Sequence, residues 1–153
     1  MSILARYRKP GGFVQLLKLI ETSQPPKQEK LLEAVEKEDA EWAQLIRVKK
    51  LTPDMVLSWE PETLTLIFEH MLIRHAATLF CKKGIDSLLE YRTLFRIDHY
   101  NELYDLVENM KEPLDSEYIA ATNHLLETVR YLDEEKKIIL RFIDARLDLS
   151  DAA

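Results

Sequence analysis

The chain has 153 residues, with 21 basic against 27 acidic side chains and a formal net charge of -6. This length suits one compact domain, able to bury about 70% of the surface its unfolded form exposes, and the mixed charge argues against nucleic acid, whose phosphates need clustered Lys and Arg. Three glycines in the whole chain, against an average usage of about 7%, exclude most β-hairpin and phosphate-loop architectures, and the single cysteine, Cys81, cannot close an internal disulfide, so the cytosol is the expected compartment.

The opening residues MSILARYRKP carry the basic cluster Arg6, Arg8 and Lys9 and read as a solvated or loosely docked arm. They lack the apolar stretch of a secretory signal. No run approaches the roughly 18 apolar residues of a membrane span, so direct membrane insertion is not expected. After the Pro10-Gly11-Gly12 break, Phe13, Leu16, Leu17 and Ile20 recur at helical spacing and predict a helix ending near Thr22. Ser23 and Pro25-Pro26 read as cap and first turn of a second helix to about Glu38, with Leu31, Leu32 and Val35 on one face. Asp39 is placed to cap a third helix carrying Trp42, Leu45 and Ile46, and Thr52-Pro53-Asp54 reads as the start of another.

Pro61 starts the next helix, and Leu64, Ile67, Phe68, Met71 and Leu72, then Ile73, Ala76, Ala77 and Phe80, keep the helical period until Gly84 breaks it. Ile85, Leu88 and Leu89 follow, then a helix over Asp98 to Met110 with Leu103, Leu106, Val107 and Met110 on one face. Asp115 and Ser116 are good caps for a final long helix with the stripe Tyr118, Leu125, Val129, Leu132, Ile139 and Ile143, which Asp133 could divide. No strand pattern stands out. Short amphipathic helices cannot bury their stripes alone. The expected fold is therefore all-α, an armadillo-like stack of short helices with a long C-terminal helix.

Residue types that carry chemistry are sparse. No Glu-x-x-His or His-Glu-x-x-His occurs, and His70 and His75 lie about 140° apart around a helix, so they read as packing residues and no metal is expected. The Gly11-Gly12 pair lacks the third glycine and the Lys-Ser/Thr of a phosphate loop and reads as a joint. Cys81, beside Lys82-Lys83, has no histidine arrangement to activate it. The acidic run Glu36, Glu38, Asp39 and Glu41 reads as a solvated face and cap. No catalytic residue, cofactor site or enzymatic activity is expected.

In their spacing, Gly11-Gly12, Glu33-Ala34, Glu36, Glu38-Asp39, Glu41, Ala43 and Ile46-Arg47 resemble the flagellar motor switch protein FliG family, in its middle and C-terminal armadillo-like region. The likeness runs without gaps from Gly11 to about Met71 and more weakly from Asp98 to Ile138. It implies an N-terminal arm (1–10), FliG middle-like helices (11–49), a hinge-like segment (50–60), a C-terminal-like helical region (61–148) and a disordered tail (149–153). Gly11, Gly12, Lys50, Leu51, Thr52 and Pro53 are the candidate hinge residues. The family's Met-Phe-x-Phe signature falls on the last four, where a proline fixes φ and the aromatic residues are gone. The family's Glu-His-Pro-Gln motif has no counterpart. The torque helix aligns with Asp98 to Met110, where Asp105 keeps an acid, Asp98 stands in place of an arginine and Leu106 in place of an acid.

The resemblance implies a non-catalytic protein–protein interaction module, an accessory or divergent component of the bacterial flagellar motor switch at the cytoplasmic face of the basal body. A helical regulatory or adaptor domain unrelated to motility, reusing the same scaffold, is the alternative. Expected partners are switch-ring components or a second copy of the chain. The expected contacts are an apolar edge around Phe13, Leu17, Trp42 and Leu45, with Asp98 and Asp105 as charged positions.

Overall fold

The computed structural model describes residues 2–148, and every regular element among them is helical. The expected tail, 149–153, lies outside the described residues. The chain divides into two units, Met1–Thr52 with Lys136–Ala153, and Pro53–Glu135. The boundary falls inside the hinge-like segment, and residues from Lys136 onward rejoin the first unit instead of continuing the 61–148 region.

The first unit holds a 3₁₀ turn, Leu4–Tyr7, and the helices α1 (Gly12–Glu21), α2 (Pro25–Glu38) and α3 (Ala40–Lys49). The stripe of α1 is buried as its spacing requires: Leu16, Leu17 and Ile20 are wholly inaccessible and Phe13 is 5% exposed. Leu32 and Val35 of α2, with Ala43 and Ile46 of α3, complete this core with Leu4. At about 1.5–3 kcal/mol for each large apolar side chain removed from water, the stripes hold the three helices together.

Caps differ in detail from the sequence reading. Gln24, not Ser23, is the N-cap of α2, with Pro25 at the first helical position. The Ser23 hydroxyl instead donates to the Leu19 carbonyl, 2.6 Å away, closing the end of α1. Asp39 caps α3 as its short polar side chain suggests, Oδ1 accepting from the backbone N–H of Glu41 at 3.1 Å and of Trp42 at 3.2 Å.

The second unit contains α4 (Pro53–Leu57), α5 (Pro61–His70), α6 (Ile73–Lys83), α7 (Asp86–Leu89), α8 (Ile97–Asn109) and α9 (Asp115–Glu134). Helix α6 packs on both α8 and α9, and α9 also meets α4 and α5. Ala76 and Ala77 are fully buried on α6, and side chains this small let two neighbours approach its backbone. Phe68, Phe80 and Tyr91 form an aromatic cluster with ring centres 4.8 to 5.9 Å apart, in tilted or edge-on geometry. The N-cap of α9 is Leu114, with Asp115 already in the first turn, and the Glu117 carboxylate accepts from the Leu114 N–H at 2.9 Å.

The last helix is interrupted. Lys136 takes a left-handed φ of 58°, after which α10 (Leu140–Ile143) and a 3₁₀ turn (Ala145–Leu147) pack together in the first unit. This break shifts the phase of the apolar pattern. Leu125, Val129 and Leu132 are buried as the stripe requires, but beyond the break Ile138 and Leu140 are buried while Ile139 is 40% exposed. Among the described residues no helix is long and apolar enough to cross a membrane.

Candidate functional site

The predicted apolar edge is mostly core. Leu17 is wholly inaccessible and Phe13 nearly so, because the 3₁₀ turn before α1 and the α2–α3 pair cover the stripe that was expected to face a partner. Trp42 and Leu45 are half-buried against the same core. The Trp42 ring meets Phe13 edge-on at 5.2 Å, and the Arg8 guanidinium lies 4.6 Å from the Trp42 ring centre. Trp42, Phe13 and the Tyr7–Gly11 segment line a cleft of about 580 Å³.

The N-terminal residues, read as a solvated or loosely docked arm, keep Arg6, Arg8 and Lys9 exposed while making specific contacts. Arg8 pairs with Asp39 at 2.7 Å. The Glu38 carboxylate accepts from the Ser2 hydroxyl and from the backbone N–H of Ile3 at 2.8 Å. These bonds favour the charged carboxylates. The Ser2 hydroxyl first, then the Ile3 and Leu4 N–H groups, hold Glu38 below its ordinary pKa, and the Arg8 guanidinium, then the Trp42 N–H, do the same for Asp39. Two members of the acidic run therefore tie the residues before α1 to the α2–α3 junction.

The hinge residues have structural duties. Gly11 adopts φ 79° as the N-cap of α1, and a Cβ on Gly12 would lie 2.0 Å from the Tyr7 carbonyl oxygen. Leu51 is 1% exposed, and its N–H donates to Glu21 Oε2 at 2.5 Å. The Lys50 ammonium donates to Gln28 Oε1 at 3.3 Å. Lys50 and Leu51 are thus fixed to the first unit, and Pro53 begins α4 in the second.

Asp98 and Asp105 are both exposed on α8, and the structure separates their roles. Asp98 sits in the first turn, where a carboxylate favours the positive helix end. Asp105 lines a groove of about 960 Å³ between α6, the end of α8 and the start of α9. Leu106, Met110, Pro113 and Leu114 give this groove its apolar surface, and Leu114 is 67% exposed. Glu102, Asp105 and Glu112 stand along it with Arg74 and Lys111.

The histidines combine in a way that spacing within one helix does not reveal. His75 of α6 and His124 of α9 face each other with ring centres 4.8 Å apart, and the Leu72 N–H donates to His124 Nε2 at 3.0 Å. Burial, then the neighbouring His75, lowers the pKa of His124, against a smaller opposing effect of Glu127. Among the described residues no group of three His, Cys, Asp or Glu side chains is placed to hold a metal ion. Cys81 is partly buried, with its Sγ 3.8 Å from the Lys111 carbonyl oxygen.

Comparison of the chain with protein-family models, with curated proteins and with solved structures finds no match. Among the described residues of the first unit the most open apolar side chain is Phe142, 75% exposed, which the sequence does not single out because Ile139 and Ile143 continue the stripe of α9. The signal was the polar run Asp133 to Lys137, five residues in which no side chain can anchor a helix to a core.

Proposed function

We propose that the chain is a non-catalytic protein–protein interaction module of FliG-like character, an accessory or divergent component of the bacterial flagellar motor switch. The observation that carries the interaction reading is the open groove beside α8, with Leu114 at 67% exposure. Large apolar side chains left in water at the rim of a groove favour a covering polypeptide. The flagellar assignment draws its support from the Gly11 to Arg47 pattern and from the all-helical fold that such a pattern requires.

The test is deletion of the coding sequence scored for swimming, with a pull-down of the intact chain against switch-ring components. Lost or biased swimming together with capture of a switch component supports the reading; normal swimming and no capture remove it. A second reading, an adaptor unrelated to motility, is favoured by the hinge-like segment, where the Leu51 N–H is held by Glu21 and the family's aromatic signature is replaced.

A further inference from the structure

We propose that the His75–His124 pair is a proton-operated latch on the groove beside α8: protonation of His124 releases the Leu72 N–H and frees the first turn of α6, which forms one wall of that groove. This rests on the reading of the groove as the binding surface and adds its regulation.

The latch sits at a break between helices. From α5 to α6 the backbone runs extended through Met71 and Leu72, with ψ of 156° and 128°. Met71 is 5% exposed and anchors the α5 side, whereas the Leu72 side chain is 64% exposed and adds little packing. The Leu72 N–H donates to His124 Nε2 on α9 at 3.0 Å. Its carbonyl accepts from the His75 and Ala76 N–H groups at 2.9 and 3.2 Å, so Leu72 ties the first turn of α6 to α9. The next two residues, Ile73 and Arg74, line the groove. Ala76 and Ala77, wholly buried further along, keep the rest of α6 in place when that turn moves.

The bond fixes Nε2 of His124 as the unprotonated nitrogen, and an imidazolium has no acceptor to replace it. Protonation sets a donor against a donor. His75, with its ring centre 4.8 Å from that of His124, adds repulsion once it too is charged and pushes the same turn away from α9. Burial and then His75 oppose the proton on His124, and Glu127 of its own helix favours it; α4 and α5, which also pack on α9, bring no charge to bear on it among the described residues. The closed latch therefore takes its proton below the ordinary histidine value near 6.5, and the open one at that value. Opening is favoured as pH falls below about 6.5, by at most about tenfold per pH unit, until the closed form is itself protonated.

Residue-resolved amide hydrogen exchange of the intact chain between about pH 7.5 and 5.5, corrected for the intrinsic pH dependence of exchange, tests this. At every pH Leu72 should exchange faster than Leu103 and Leu126 of the core, and without response to low urea, because a local opening exposes little surface. Its protection should fall below about pH 6.5, by at most about tenfold per unit, and the amide resonances of Ile73 and Arg74 should shift over the same range. His124→Gln, whose side-chain carbonyl accepts at every pH, should keep Leu72 protected throughout; His124→Leu, which offers no acceptor, should leave it open throughout. Circular dichroism checks that both keep their helix content. His75→Gln, further from the bond itself, should shrink the loss of protection by removing the neighbouring charge. Four results would each overturn the proposal: Leu72 exchanging as slowly and with the same urea response as the core, protection indifferent to pH, a His124→Gln chain that opens like the parent, or Ile73 and Arg74 unmoved while Leu72 opens. A latch that opens in a chain capturing no switch component supports the proton-driven movement and counts against the interaction reading alone. Capture by a chain whose Leu72 stays closed at every pH overturns the latch and leaves that reading intact.

Discussion

The Tyr7 carbonyl oxygen occupies the place where a side chain on Gly12 would begin, 2.0 Å from the position of its Cβ. Nothing lies within 4 Å of a Cβ on Gly11, whose φ of 79° is the constraint instead. The two adjacent glycines are needed for different reasons, and they separate by substitution. Gly11→Ala should cost about 1–2 kcal/mol, the strain of a left-handed L residue. Gly12→Ala forces the 3₁₀ turn off α1 and should cost about 3 kcal/mol or more. Urea titration of both variants checks the order, and equal losses would refute it.

Acid should weaken the first unit through Glu38 and Asp39. Both are held below their ordinary pKa in the folded chain, so the unfolded chain binds more protons as pH falls through the usual carboxylate range. Their stabilisation is complete above about pH 5 and declines toward the folded-state values. Glu38→Gln and Asp39→Asn should flatten that limb of a stability–pH curve. Asp39→Ala should in addition lower stability at neutral pH through the lost helix cap.

His124 gives a second pH dependence at higher pH. Its folded-state pKa is lowered, first by burial and then by His75, so the unfolded chain takes up the proton more readily. Stability from neutral His124 is full above the ordinary histidine value near pH 6.5 and is lost as pH falls below it. Protonation would also set a donor against the Leu72 N–H, now 3.0 Å from Nε2. Thermal unfolding between pH 7.5 and about 5.5 should show the decline, and His124→Gln should reduce it; an unchanged slope would count against the pairing.

Lys136 carries a φ of 58° that costs an L residue about 1–2 kcal/mol. Glycine removes that strain at an entropic cost of about 0.5–1 kcal/mol. Lys136→Gly is expected to raise stability by about 0.5–1 kcal/mol in denaturant titration, the difference of the two, and a loss would show that the lysine side chain contributes more than its backbone costs.

Helix positions were legible because the apolar stripes repeat at the helical period and because Asp39, Pro25, Pro61 and Gly84 mark ends by backbone chemistry that does not depend on tertiary context. Which stripe meets which was not legible. Phe13 and Leu17 have the same pattern whether they face a partner or the N-terminal turn, and only the fold places Leu4 over them. The groove arises from three segments distant in sequence, α6, α8 and the start of α9, so no local spacing encodes it. Leu114 draws no notice in the sequence, since an apolar residue before a helix reads as a linker until its 67% exposure is known.

The return of the chain after Lys136 has a bearing on the order of synthesis. Leu140 and Leu147 are buried at 1% and 2% exposure in the unit begun by α1, α2 and α3, and α3 packs against the turn that carries Leu147. Those three helices leave the ribosome before residues 53–135 yet lack their final layer until Leu140 and Leu147 have followed, while Pro53–Glu135 is contiguous and able to close first. The contiguous unit can thus close before the discontinuous one is complete.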